Sequence, residues 1–92
     1  MKLADKVAIV TGSAANIGKA TAILFASEGA KVVITTRDNT EGGHSTVDEI
    51  TQAGGTAIFV QADLSNPDDV QKLFAATVEA YGTVDVLVNN AG

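Results

Sequence analysis

Four short apolar runs, each parted from the next by a stretch of helical period, constrain this 92-residue chain more than any other feature. Residues 6–11 (KVAIVT), 31–36 (KVVITT), 56–61 (TAIFVQ) and 84–88 (VDVLV) are rich in β-branched side chains. Their apolar character is near-continuous rather than alternating, which is the pattern of strands covered on both faces, as in a parallel sheet. Between them lie three helices. In the third, Val70, Leu73, Phe74, Thr77, Val78 and Tyr81 fall at i, i+3, i+4, i+7, i+8 and i+11, one stripe along a helix. Asn66 is placed to cap it, Pro67 takes the first helical position, and Asp68 and Asp69 complement the dipole. The first helix, residues 16–27, carries Ile17, Ile23 and Leu24 with small alanines between. The second, about residues 41–52, is anchored by Val47 and Ile50 and stops at Gly54-Gly55. Gly29-Ala30, Gly55-Thr56 and Gly82-Thr83 each precede a strand, about one βα unit apart. Repeated β-α units demand crossover connections, which are right-handed in nearly all proteins. No Leu ladder accompanies the spacing, which argues against leucine-rich repeats. A piece of a β/α barrel is the main alternative architecture.

The length allows one small domain, burying roughly 60–65% of its unfolded surface and only marginally stable alone. Aromatics are 4% of residues against 46% apolar, so the core must be aliphatic. Six basic residues against eleven acidic give a net charge of −5. Such a chain repels nucleic-acid backbones, but backbone N–H groups can still build a local phosphate site. There is no cysteine, so neither a disulfide framework nor a thiolate metal site is available. The start lacks the long apolar stretch of a signal peptide, and no run is long enough to span a membrane. The expected location is the cytoplasm.

One motif carries chemistry. The first strand runs into Thr11-Gly12-Ser13-Ala14-Ala15-Asn16-Ile17-Gly18-Lys19-Ala20, a small-residue turn joining a buried strand to a helix N-terminus. Gly12 permits a sharp turn without a Cβ clash. Ser13, Ala14 and Ala15 keep bulk away from whatever sits above the turn. The N–H groups around Asn16 and Ile17 lack intrahelical partners and point at an anion. Gly18 lets the helix lie close to the sheet. A pyrophosphate is the natural occupant, although a turn of this kind also serves as a plain βα connection. A P-loop is excluded, because Gly12 and Gly18 are one residue too far apart and Ala20 stands where a metal-binding hydroxyl is needed.

With these residues the chain resembles the N-terminal part of a short-chain dehydrogenase/reductase. The first motif of that family, T-G-x-x-x-G-x-G, is matched by Thr11-Gly12 and by Asn16-Ile17-Gly18, with Asn16 in place of the middle glycine. Asn is the non-glycine residue that best tolerates positive φ, so the turn is expected to survive. Ala62-Asp63-Leu64 resembles the family's adenine contact, which implies that Asp63 accepts from the exocyclic amine and Leu64 lines the ring pocket. Val86-Leu87-Val88-Asn89-Asn90-Ala91-Gly92 resembles its N-N-A-G motif, which implies a structural Asn89 and an Asn90 beside the cofactor ribose. The resemblance covers the whole chain. It implies an α/β fold: a Rossmann-type parallel sheet with helices on both faces, of which residues 1–92 supply the first four strands in the order 3-2-1-4.

The cofactor expectation rests on the tip of the second strand, Ile34-Thr35-Thr36-Arg37-Asp38. In dinucleotide folds an acid here binds the ribose hydroxyls of NAD, whereas an Arg accommodates the 2′-phosphate of NADP. The family's selecting acid usually sits where Thr36 stands, and Thr36 carries no charge. Arg37 beside it can make charge-assisted hydrogen bonds, so NADP is preferred over NAD. A strand extending two residues further would make Asp38 the ribose acid and reverse the preference.

Other residues invite less. His44, the only histidine, lies in a polar stretch and reads as a surface residue. Asp68-Asp69 reads as helix capping, Asp48-Glu49 as a solvated helix face. Tyr81 completes an apolar stripe and belongs to the core. It is followed four residues later by Asp85, so it is not the tyrosine of the family's Y-x-x-x-K motif.

The resemblance implies that the chemistry uses a Ser, a Tyr, a Lys and a further Asn, all expected beyond Gly92. The expected function is the cofactor-binding portion, without catalytic residues, of an NAD(P)-dependent carbonyl/alcohol oxidoreductase that is homo-oligomeric at full length. The alternatives are a non-catalytic dinucleotide-binding module and a non-binding structural fragment in which Asn16 has spoiled the turn. Ketones, sugars, steroids and acyl-carrier β-ketoesters all remain open as substrates. An unpaired edge on the fourth strand and uncovered apolar helix faces predict association or partial unfolding of these residues alone.

Overall fold

A computed structural model describes residues 3–90. The elements are β1 (Val7–Thr11), α1 (Asn16–Ser27), β2 (Lys31–Thr36), α2 (Thr40–Gln52), β3 (Thr56–Gln61), α3 (Pro67–Tyr81) and β4 (Val86–Val88). The four strands are parallel and ordered β3-β2-β1-β4, the order expected from the sequence. β1 lies inside the sheet, with Ile9 opposite Val33 on one side and Leu87 on the other.

The period of two along a strand divides the core into two layers. Val10, Val32 and Ile34 pack with Ala22 and Ala26 of α1 and Ile50 of α2. Ile9 and Val33 pack on the opposite face with Leu73 of α3 and Ala62. Cover on both faces, inferred for all four runs, holds for β1 and for the middle of β2. β3 and β4 are only half-buried, because each is an edge of the sheet.

Three local expectations need correction. The apolar residues Ile17 and Leu24 of α1 are 73% and 57% exposed, and the buried stripe is Gly18, Ala22 and Ala26. Small side chains let the helix axis approach the sheet, so residue size rather than hydrophobicity selects the packed face. In α3, Leu73 and Thr77 are buried but Val78 is 48% exposed. β4 starts two residues later than expected. Before it, Asp85 donates its amide to the Val7 carbonyl at 2.9 Å and accepts the Val7 amide on Oδ2 at 2.9 Å, so a carboxylate replaces part of the ladder.

The helix ends follow local chemistry. Asn66 accepts from the amides of Asp68 (2.9 Å) and Asp69 (3.4 Å), and Asn39 accepts from that of Gly42 (3.0 Å). α3 ends at Gly82 in the left-handed region, φ 88°. Leu87 of β4 is 51% exposed beside the unpaired edge. Charge placed at this residue and at the exposed Val78 of α3, as in Leu87→Lys with Val78→Lys, is expected to lower light scattering of the isolated chain without lowering its Tm.

The Tyr81 hydroxyl is buried without a hydrogen-bond partner among the described residues, and burial pushes its pKa above the ordinary value. A phenol raised in the folded state keeps its proton after the unfolded chain has lost it. Its stabilising contribution is therefore complete below pH about 10 and is lost as pH climbs from there through the raised folded value. Tyr81→Phe is expected to leave stability at pH 7 unchanged or higher by about 1 kcal/mol. It should also flatten the alkaline fall in denaturation midpoint above pH about 10.

Candidate functional site

The site begins where β1 stops. Gly12 and Asn16 both adopt left-handed backbone conformations, with φ 62° and 57°. Asn16 thus holds the conformation that a glycine would supply, and the turn is intact. Ala15 occupies the N-cap of α1 with no side-chain cap bond, and the first turn holds no acidic residue. α2 and α3 each have an Asn cap and at least one acid in the first turn. The amides of Asn16, Ile17 and Gly18 therefore open α1 without a capping acceptor, in the direction of its positive dipole end. Only the amide of Ile17 faces the turn's opening in this sense, since its side chain is 73% exposed.

Gly18 is buried against the turn. A Cβ there would stand 2.1 Å from the Gly12 carbonyl oxygen and 2.8 Å from Asn90 Nδ2. The close approach expected of Gly18 is thus to the turn itself and to the segment after β4. Ser13 is fully buried, and its hydroxyl donates to the Val10 carbonyl at 2.6 Å and accepts the Thr35 amide at 3.0 Å. Its side chain fastens the end of β1 to the end of β2. Ala14 and Ala15 are the residues that keep the turn bare.

A cavity of about 530 Å³ opens at the C-terminal ends of the strands. Thr35, Thr36 and Arg37 form one wall, Ala62, Asp63, Leu64 and Ser65 another, and Gly12 closes the side towards the turn. β2 ends at Thr36, so Asp38 lies past the strand and outside the lining. The exposed Arg37 gives Nε to Asp38 Oδ2 at 3.0 Å, and this bond, then the charges of Asp38 and Asp63, raise its pKa further. Asp63 accepts the Ser65 hydroxyl at 2.6 Å and the Ser65 amide at 2.9 Å, both on Oδ1. Those bonds, with a smaller contribution from Arg37, hold its carboxyl below the ordinary range. Two further bonds steady the walls. Asp69 Oδ2 accepts the Asp63 amide at 2.8 Å, and Gln61 Nε2 donates to the Arg37 carbonyl at 2.8 Å. Asp69 thus does more than complement a helix dipole.

Thr11, which heads the T-G-x-x-x-G-x-G match but is given no part in the site by the sequence, joins its two ends. Its Oγ1 accepts the Asn90 amide at 2.7 Å and lies 3.2 Å from the Val88 carbonyl and 3.3 Å from Asn89 Oδ1. The only sequence signal for it is a threonine heading the glycine turn. The nine residues named from sequence fall into two adjoining groups. Gly12, Ser13, Asn16, Ile17, Gly18 and Asn90 meet around the turn, and Arg37, Asp63 and Leu64 line the cavity. Ala91 and Gly92, the end of the N-N-A-G match, lie outside the described residues. His44 is exposed and rests on Phe59 with ring centroids 4.7 Å apart. Glu49 pairs with Lys19 across α1 and α2. Among the described residues no helix is long and apolar enough to cross a membrane.

Residues 6–92 match the short chain dehydrogenase family. The chain belongs to that family. It is 52% identical to L-rhamnose 1-dehydrogenase (NAD(P)(+)) of Azotobacter vinelandii, over 100% of this chain and 37% of that protein. It is 44% identical to a 3-oxoacyl-[acyl-carrier-protein] reductase of Synechocystis sp., over 98% of this chain and 36% of the reductase. The crystal structure of hydroxysteroid dehydrogenase from Escherichia coli superposes with a TM-score of 0.95 at 42% identity, covering 99% of this chain and 38% of that one. The chain spans a little over a third of the length of these short chain dehydrogenase relatives.

Two substitutions test the assembly. Gly18→Ala must push the turn and Asn90 apart and is expected to lower stability by about 1–3 kcal/mol in chemical denaturation. Thr11→Val keeps the volume but orphans the Asn90 amide. It should cost about 1–3 kcal/mol and speed amide exchange at the end of β4.

Proposed function

We propose that this chain is the N-terminal, dinucleotide-holding part of an NAD(P)-dependent oxidoreductase of the short-chain dehydrogenase/reductase type. Its reaction class is hydride transfer between a carbonyl carbon and the corresponding alcohol. The observation that carries the reading is an uncapped helix N-terminus set beside a cavity that holds an Arg, an Asp and a Leu. A dinucleotide fits that donor set. Gly12, Asn16, Ile17 and Gly18 present bare backbone to its diphosphate, with Ser13 bracing the turn from beneath. Asp63 accepts from the adenine amine, Leu64 packs on the ring, and Asn90 lies beside the ribose. When bound, the nicotinamide supplies or takes the hydride. The protein's part here is to bind and orient.

NADP is the preferred form and NAD is also accepted. Thr36 at the tip of β2 offers no carboxylate to repel a 2′-phosphate, and Arg37 stands at the rim as its counter-charge. The end of β2 at Thr36 supports this choice, because Asp38 is left to pair with Arg37 instead of reaching a ribose. The name of the Azotobacter vinelandii relative, which includes NAD(P)(+), is consistent with use of both.

Calorimetric titration with NADPH and NADH tests the reading. NADPH is expected to bind more tightly than NADH. Arg37→Ala should weaken NADPH about tenfold or more and leave NADH nearly unchanged. Asp38→Asn should shift the ratio further towards NADPH, by an amount that shrinks as salt is raised. Absence of saturable binding of either nucleotide sinks the proposal.

A further inference from the structure

Thr46 sits nearly two turns into α2 and is fully buried. Its hydroxyl lies 3.0 Å from the Ser13 carbonyl and 2.9 Å from the carbonyl of Gly42, four residues before it. Thr21, Thr51 and Thr77 also sit within helices, and each donates only to the carbonyl four residues before it. Thr46 differs in reaching across to another element. Gly42 makes a second contact with the same turn, for a Cβ there would stand 2.6 Å from the Ala14 carbonyl oxygen. Two consecutive carbonyls of the turn, those of Ser13 and Ala14, thus face α2.

The described chain has no cis peptide bond. In a trans peptide the N–H points opposite to the C=O that precedes it. The amides of Ala14 and Ala15 are therefore turned away from α2, and neither donates to a described protein acceptor. They extend the unpaired amides at the start of α1 into one run. A Ser13 carbonyl turned the other way would set a negative oxygen among these donors.

We infer that Thr46 is a positioning residue for diphosphate binding, aiming the amides of the glycine turn by holding the Ser13 carbonyl against α2. The inference rests on the dinucleotide reading above and names a residue that touches no ligand.

The test compares two probes in titrations of the full chain. NADPH carries the diphosphate, whereas adenosine 2′-monophosphate reaches only the cavity and Arg37. Thr46→Val, which keeps the shape and removes the donor, is expected to weaken NADPH roughly tenfold and leave adenosine 2′-monophosphate within about twofold. Thr46→Ser should restore NADPH binding to within about threefold. Where Thr46→Val does not fold, Gly42→Ala presses on the Ala14 carbonyl oxygen, 2.6 Å from its Cβ, as well as on the Asn39 cap, and should give the same selective loss. Unchanged NADPH affinity, or equal losses for both probes, overturns the positioning role. An unaltered chain that binds the monophosphate but not NADPH also overturns it. One that binds neither overturns the dinucleotide reading itself.

Discussion

The site depends on the contact between the bare α-carbon of Gly18 and the carbonyl of Gly12. No side chain of any size fits between them, since a Cβ would lie 2.1 Å from that oxygen. The contact seats the first turn of α1 on the end of β1 and fixes the rotation of the helix about its own axis. With Gly18 facing inward, Ala22 and Ala26 must follow it at intervals of four, and Ile17 and Leu24 are turned outward. The position of the helix N-terminus is therefore set by packing against backbone, without the help of a capping side chain. This explains how a chain of net charge −5 keeps an opening suited to an anion. The attraction comes from amides fixed in place, and α1 alone among the three helices has neither a capping side chain nor an acid in its first turn.

Around that contact the sheet's C-terminal rim is tied by side chains bonding to backbone. Thr11 joins β1 to the segment after β4, Ser13 joins β1 to β2, and Thr46 joins α2 to the turn. Asp69 holds the loop after β3, and Gln61 the loop after β2. Each bond lies where the regular strand ladder has ended and backbone groups would otherwise lack partners. The bonds of Ser13 and Thr46 are buried, where a polar group is costly to leave unpaired, so this part of the rim is held in one arrangement. A binding surface made of loops is thereby given some of the rigidity of the strands that carry it.

Much of this could be read from the residues in order. Near-continuous apolar runs gave the strands, and parallel pairing follows because the intervening helical stretches leave room only for crossovers. The left-handed conformation of Asn16 follows from the steric tolerance of Asn at positive φ, and the boundaries of α3 follow from Asn66, Pro67 and Gly82. The packed face of α1 could not be read this way. Apolar periodicity ranks Ile17 and Leu24 above alanine, whereas close approach to a sheet rewards the smallest side chain. The late start of β4 escaped for a related reason: Asp85 pairs with the backbone of Val7, 78 residues away, a contact with no local signal. The bonds made by Thr11 and Thr46 were hidden likewise, because each hydroxyl acts on an element distant in sequence. The motifs named residues that gather around the turn and the cavity, and the bonds that hold them in place became visible only with the fold.

On the cofactor reading proposed above, discrimination at the cavity rim would be a local matter. Three charges face one another there, Arg37 between Asp38 and Asp63, so the rim as a whole is mildly negative. Taken as a sum, that would disfavour a 2′-phosphate. The two acids are not equivalent, however. Asp63 is held by both the hydroxyl and the amide of Ser65, which also fix its charge by lowering its pKa. Asp38 is held only by the Nε of an exposed guanidinium. Exposed pairs of this kind contribute little stability and open readily. A doubly charged phosphate offers Arg37 a stronger partner than a single carboxylate, and the guanidinium has further donors with which to meet it. On the proposed NADP reading, Asp63 would stay in place while Arg37 exchanged one anion for another, so that a 2′-phosphate would displace only the weakest bond of the rim.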